Sequence, residues 1–178
     1  MSKKVLVISG SPRKGGNSDL LSDSFIQGAE QAGHKVEKVF IADKKINYCS
    51  GCGACNSTQV CVQKDDMAAI LEQMIAADVI VMASPVYFYA MSGQLKTFID
   101  RVCTKYTKIL NKDFYFIMTA ADELSESVER TMEGFRGFLD CLGGAQEKGV
   151  LYATQVWQKG DVKGTAFVEQ AHTMGKSV

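Results

Sequence analysis

The chain has 178 residues, 46% of them hydrophobic, enough for one domain with a full core. Its 20 basic and 20 acidic residues cancel, which leaves no electrostatic case for a nucleic-acid or anionic-membrane partner. The start, Met1-Ser2-Lys3-Lys4, leads into an apolar run too short for a signal-peptide core or a membrane span, so the chain reads as cytoplasmic. Six cysteines in such a chain point to metal or redox chemistry before disulfides.

The pattern alternates strand and helix. Strand one is about residues 3–9 and helix one about 17–32, closing at Gly33; strand two is Lys35 to Phe40. An irregular, cysteine-containing segment covers about 42–64. Helix two starts near Asp65-Asp66, which read as its caps, and ends near Ala76-Ala77. Strand three is Asp78 to Ala83, helix three about Gly93 to Val102, and strand four Phe114 to Met118. Helix four covers about Ser125 to Cys141 and stops at Gly143-Gly144. Strand five is about Gly149 to Ala153, and a last helix covers about Thr165 to Met174. Five apolar strands separated by helices predict a single open α/β domain. Its sheet would be doubly wound and parallel, in order 2-1-3-4-5, with helices on both faces and right-handed crossovers. Ligands bind such sheets at the carboxyl ends of the strands, where strand order reverses. Here that point lies between strands one and three.

The loop after strand one is Gly10-Ser11-Pro12-Arg13-Lys14-Gly15-Gly16-Asn17-Ser18. A strand, a Gly/Ser-rich turn and a helix start make an anion site, because free N–H groups and the positive dipole end face the turn. Hydroxyls of Ser11 and Ser18, the Asn17 amide and the charge of Arg13 or Lys14 add donors, and Ser9 and Gly16 complete the candidate binding residues of the turn. It is not a P-loop: Gly10 and Gly15 have the spacing, but Gly16 stands where lysine must be. It is not a dinucleotide fingerprint either, since Pro12 takes the third position. The turn lacks a cysteine nucleophile, so it suits a phosphomonoester held as an anchor. An ordinary capped βα turn is the plainer alternative.

The loop after strand three is Ser84-Pro85-Val86-Tyr87-Phe88-Tyr89-Ala90-Met91-Ser92-Gly93. It holds one of only two prolines; the other, Pro12, lies in the first loop. Its three aromatics offer a flat apolar surface to a planar ligand, with Tyr87 and Phe88 expected nearest to it, or else cap the core. The loop after strand four, Thr119-Ala120-Ala121, is small enough for backbone N–H groups to approach a ring edge.

The first loop, Ser84-Pro85-Val86-Tyr87 and Gly93-Gln94-Leu95-Lys96-Thr97-Phe98-Ile99-Asp100-Arg101 resemble the flavodoxin-like NAD(P)H-dependent FMN reductases over nearly the whole chain. The resemblance implies FMN, with its phosphate in the turn from Ser11 to Ser18 and its isoalloxazine against Pro85, Val86, Tyr87 and Phe88. Thr119, Ala120 and Ala121 would lie at the ring edge. It also implies NAD(P)H as co-substrate, a small acceptor such as a flavin, quinone, nitro or azo compound, and a homodimer or homotetramer. The cofactor carries the hydride chemistry, so no catalytic side chain is assigned.

Cys49, Cys52, Cys55 and Cys61 give the spacing C-x2-C-x2-C-x5-C. This is close to compact runs that wrap one cubane cluster. The segment resembles the cluster loop of iron–sulfur flavoproteins, which implies a [4Fe–4S] centre beside the flavin. On that reading the chain is an electron carrier serving ferredoxin-like proteins. Zinc, free thiols and a reversible disulfide stay open. Cys103 and Cys141 are expected to be buried thiols, His34 and His172 to be solvated or capping, and Trp157 to be a surface tryptophan; the alternative is that Trp157 and Gln158-Lys159-Gly160-Asp161 approach a neighbouring subunit's flavin.

Overall fold

A computed structural model of the chain describes residues 1–123 and 126–178. Strands β1 (Lys4–Ser9), β2 (Lys35–Phe40), β3 (Val79–Tyr87), β5 (Asp113–Thr119) and β6 (Gln146–Ala153) form a parallel sheet in the order β2-β1-β3-β5-β6. A short β4 (Ala90–Met91) pairs antiparallel with the end of β3. The order of the five parallel strands is the expected one, but the sheet has six strands. The extra strand arises because β3 runs on to Tyr87 and folds back through Phe88-Tyr89. Both turn residues have positive φ, 50° and 60°, which a two-residue type I′ hairpin needs at both central positions. Such turns usually carry Asn-Gly, so two aromatics gave no signal for this one.

The helices are α1 (Asn17–Gln31), a short α2 (Ala54–Thr58), α3 (Met67–Ala76), α4 (Gly93–Val102), α5 (Glu126–Asp140) and α6 (Ala166–Lys176). Ser125, the expected start of helix four, lies outside the described residues. Successive strand side chains alternate between two cores. Leu6, Ile8, Ile80, Met82, Phe114 and Phe116 pack with residues of α3, α4 and α5 on one face. Val5, Val7, Val79, Val81, Tyr115 and Ile117 pack with residues of α1 and α6 on the other. Helix α6 sits unusually close to α1 because glycines face each other's backbone. A Cβ on Gly28 would stand 2.0 Å from the His172 carbonyl oxygen, and one on Gly175 2.1 Å from that of Phe25.

At the switch point, Gly10 N–H donates to the Ala83 carbonyl (2.8 Å). The Ser92 hydroxyl donates to the Gly10 carbonyl (2.6 Å) and accepts from Leu95 N–H (3.2 Å), so one side chain caps α4 and fixes the turn after β1. Pro85 lies past the last β1–β3 pair, Ser9 with Ala83, where its missing N–H costs no ladder bond to β1. Among the described residues no helix is long and apolar enough to cross a membrane.

Candidate functional site: a cleft at the strand ends and a cysteine hollow

A cleft of about 400 Å³ opens at the carboxyl ends of β1, β3, β5 and β6. The first loop contributes Pro12 and Arg13, the second Pro85, Val86 and Tyr87, and the third Thr119 and Ala121. Three loops expected to meet therefore do meet. Val156, Trp157 and Gln158, after β6, form a fourth wall. Trp157 is 70% exposed, the surface tryptophan expected, and it also walls this chain's own cleft. The sole tryptophan following the last strand was the available signal.

The turn after β1 is held rigidly. Asp19, buried in the first turn of α1, accepts from the Ser9 hydroxyl (2.9 Å) and Gly15 N–H (2.8 Å) and pairs with Lys38 of β2 at 2.7 Å. Burial pushes the Asp19 pKa up, but the hydrogen bonds and charge of Lys38, with the Gly15 N–H, outweigh it and hold the carboxyl below its ordinary range. The Ser11 hydroxyl closes a local turn by donating to the Arg13 carbonyl and accepting from Arg13 N–H. Asn17 donates to the Gln158 carbonyl (2.8 Å) and accepts from Gly160 N–H (2.9 Å), tying the turn to the segment after β6. Lys159 from that segment lies over Gly15: a Cβ built there would be 3.3 Å from its Cε. Lys159 is thus a cation at this chain's own turn.

Ser18 is different. It is 1% exposed, yet its hydroxyl has no hydrogen-bond partner among the described residues. An orphaned buried hydroxyl costs about 1–3 kcal/mol, and it stands at the N-terminus of α1, where the leading N–H groups also lack acceptors within the helix. These groups fit a terminal phosphate, which would satisfy them together.

The other expected residues divide. Gly16 is buried at the N-cap of α1, where a Cβ would meet the Arg13 carbonyl oxygen at 2.9 Å. The Ser9 hydroxyl and the Asn17 amide hold the turn rather than line the cleft. Ala120 is buried between the Ala153 carbonyl and Val156 N–H. Phe88 projects fully into solvent at the hairpin tip, outside the cleft wall. Gly93 lines a neighbouring hollow that shares Pro12.

The cysteine segment forms a second region. Cys49, Cys52, Cys55 and Cys61 line one hollow of about 230 Å³. Gly51 and Gly53, both at positive φ (67° and 72°), turn the backbone around it. A fifth thiol, Cys103 at the end of α4, joins them, with its Sγ 3.7 Å from that of Cys55. Cys103 and Cys141 are exposed, not buried as expected. Cys103 follows the last apolar residue of α4 and faces the cysteine segment; Cys141 donates back to the Gly137 carbonyl at 3.4 Å. Desolvation of its sulfur, with Cys55, Cys49 and Cys61 nearby, pushes the Cys103 thiol up to about 11.

A buried ion pair clamps this segment at its base. Arg101 of α4 and Asp65 have side chains only 2% and 3% exposed and meet through two bonds, of 2.7 and 3.0 Å. Arg101 also donates to the Asn47 carbonyl (2.7 Å), and Asp65 accepts from Asn47 N–H (3.1 Å). Asp65 accepts from Met67 N–H as an expected cap would, but its larger role is to join both ends of the segment to α4. The Arg101 hydrogen bonds lower the Asp65 pKa against the opposing effect of burial. Cys61 lies beside the Arg101 guanidinium.

A family profile described as NADPH-dependent FMN reductase matches residues 3–144. The chain belongs to that family. It is 46% identical to an iron–sulfur flavoprotein of Archaeoglobus fulgidus over 99 residues, 56% of this chain and 45% of that protein. The chain spans about half the length of the curated relatives it matches. Among solved structures, it superposes on an NAD(P)H:quinone oxidoreductase from Methanothermobacter marburgensis with TM-score 0.76 and 16% identity, covering 99% of this chain and 97% of that one. An azoreductase from Bacillus anthracis gives TM-score 0.75 and 17% identity, with both chains fully covered. These structural likenesses establish the shared flavodoxin-like fold.

The donor sets of this family member fit two groups. The turn with its orphaned Ser18 hydroxyl fits an FMN phosphate, and the cleft walls fit a planar ring. The four spaced cysteines around one hollow fit an iron–sulfur cluster by donor chemistry. Among the described residues, however, no three Cys, His, Asp or Glu side chains are gathered tightly enough to grip one ion.

Proposed function

We propose that this chain is an FMN-dependent oxidoreductase that passes electrons from NADH or NADPH to a small acceptor such as a flavin, quinone or azo compound. The unpartnered Ser18 hydroxyl carries the reading, because it sits at a helix N-terminus beside a cleft walled by the loops after β1, β3, β5 and β6. Bound FMN supplies a ring that takes up a hydride and gives up electrons. The protein's own groups bind and orient. Ser18 and the first N–H groups of α1 hold the phosphate, with Arg13 and Lys159 adding charge. Pro85, Val86 and Tyr87 support one side of the ring, and Thr119 and Ala121 bound its edge. Trp157 limits water access from the β6 side. The cleft's open mouth suits several planar acceptors. The exposed Phe88 and Tyr89 suit a contact between copies in a homodimer or homotetramer.

A second reading, that the chain also carries a [4Fe–4S] cluster and serves a ferredoxin-like partner, is favoured by the convergence of Cys49, Cys52, Cys55 and Cys61 on one hollow. Steady-state oxidation of NADH and NADPH with a quinone, an azo dye and free flavin tests the first reading. Turnover with any of these supports it, and none with FMN bound overturns it. Iron and acid-labile sulfide in anaerobically purified protein test the second. Cys52→Ser with Cys55→Ser should then abolish bound iron.

A further inference from the structure

The cysteine hollow contains one thiol more than a four-ligand motif needs. Cys103 comes from α4, about 40 residues beyond the motif, and touches Cys55 at 3.7 Å between sulfurs. A disulfide requires about 2.0 Å between sulfurs. The approach is cheap, because α2, which carries Cys55, buries none of its residues and can shift without opening either core. Cys103 is exposed at the C-cap of α4, so a small reagent reaches it. Arg101, two residues away and fixed by Asp65, keeps this end of α4 in place beneath the hollow.

We infer that Cys55 and Cys103 form a redox-active dithiol that closes to a disulfide by exchange with a low-molecular-weight disulfide, and that this bond excludes iron from the hollow. One thiol of the pair, as thiolate, attacks a sulfur of the small disulfide and expels one small thiolate. The second protein thiol then attacks the mixed disulfide and expels the other half. Two S–H groups become one S–S bond, and the two electrons and two protons leave on two small thiols. With Cys55 in the bond, the four-cysteine motif has lost a ligand. Exclusion of iron rests on the cluster reading above; the dithiol itself does not.

The test incubates the full chain, purified with its flavin, with glutathione disulfide. Thiol titration should show the loss of two of the six thiols, and peptide mapping should join the Cys55 peptide to the Cys103 peptide. A bond confined to Cys49, Cys52, Cys55 and Cys61, or a stable glutathione adduct on Cys103, overturns the dithiol. Iron uptake from ferrous ion and sulfide is then compared. Oxidised wild type should take up about tenfold less iron than protein re-reduced with dithiothreitol, while Cys103→Ser should take up iron after either treatment. Equal blockage of Cys103→Ser overturns the exclusion. If fully reduced wild type binds no iron, the cluster reading fails and the exclusion with it, whereas a missing 55–103 cross-link counts against the dithiol whatever iron does.

Discussion

Residues 10–18 and residues 48–64 are both glycine-containing loops after parallel strands, yet the fold holds them in opposite ways. The first is sewn in from every side: Ala83, Ser92, Asp19 and the segment after β6 all bond to it, and Gly10, Ser11 and Gly16 to Ser18 are buried. The second has no residue buried as a whole, and Tyr48, Val60 and Val62 stand in solvent. It is attached chiefly at its base, through Arg101 and Asp65. The first loop is therefore rigid before anything binds, with one buried hydroxyl left over. The second is fixed mainly at its base, and its thiols are free.

Four changes would break or sharpen that contrast. Arg101→Ala removes one partner of a buried pair and should cost about 3–5 kcal/mol in urea unfolding. A loss below about 1 kcal/mol would mean that the segment is not clamped there. Gly10→Ala should cost about 1–3 kcal/mol, since its Cβ would meet Leu95 Cβ at 2.8 Å and the Ala83 carbonyl oxygen at 3.1 Å; the same measurement reads it. Acid should loosen the clamp. The Asp65 pKa is depressed by Arg101, so its contribution is complete above about pH 4, the unfolded value, and is lost as pH falls through the lower folded value. The fall in stability below that pH should flatten in Asp65→Asn. Smallest of all, Tyr48→Ala or Val60→Ala should change stability by less than about 0.5 kcal/mol, because neither residue supports the core.

The sheet order was legible because each parallel strand is a short apolar run and each crossover helix carries its own periodicity. So was the switch-point cleft, since strand order alone decides which loops meet. The hairpin to β4 was not, because its positive-φ turn uses Phe88 and Tyr89 in place of glycine or asparagine. The clamp was not, because Arg101 and Asp65 are 36 residues apart and each had a local reading, one in a helix and one as a cap. Cys103 read as a core thiol for the same reason: helix periodicity near a terminus does not say which neighbour the last residue faces. Within the first loop, the residue types were legible but their division of labour was not. Asn17 and Ser9 hold the turn, while the Ser18 hydroxyl is left without a partner among the described residues.

The central claim is that this loop seats the FMN phosphate. Titrating the flavin-free chain with FMN and following flavin fluorescence, in wild type and in Ser18→Ala combined with Asn17→Ala, tests it most directly. One FMN should bind per chain, and binding should be at least about tenfold weaker in the double variant, about 1.4 kcal/mol. Unchanged affinity in a folded double variant would contradict it.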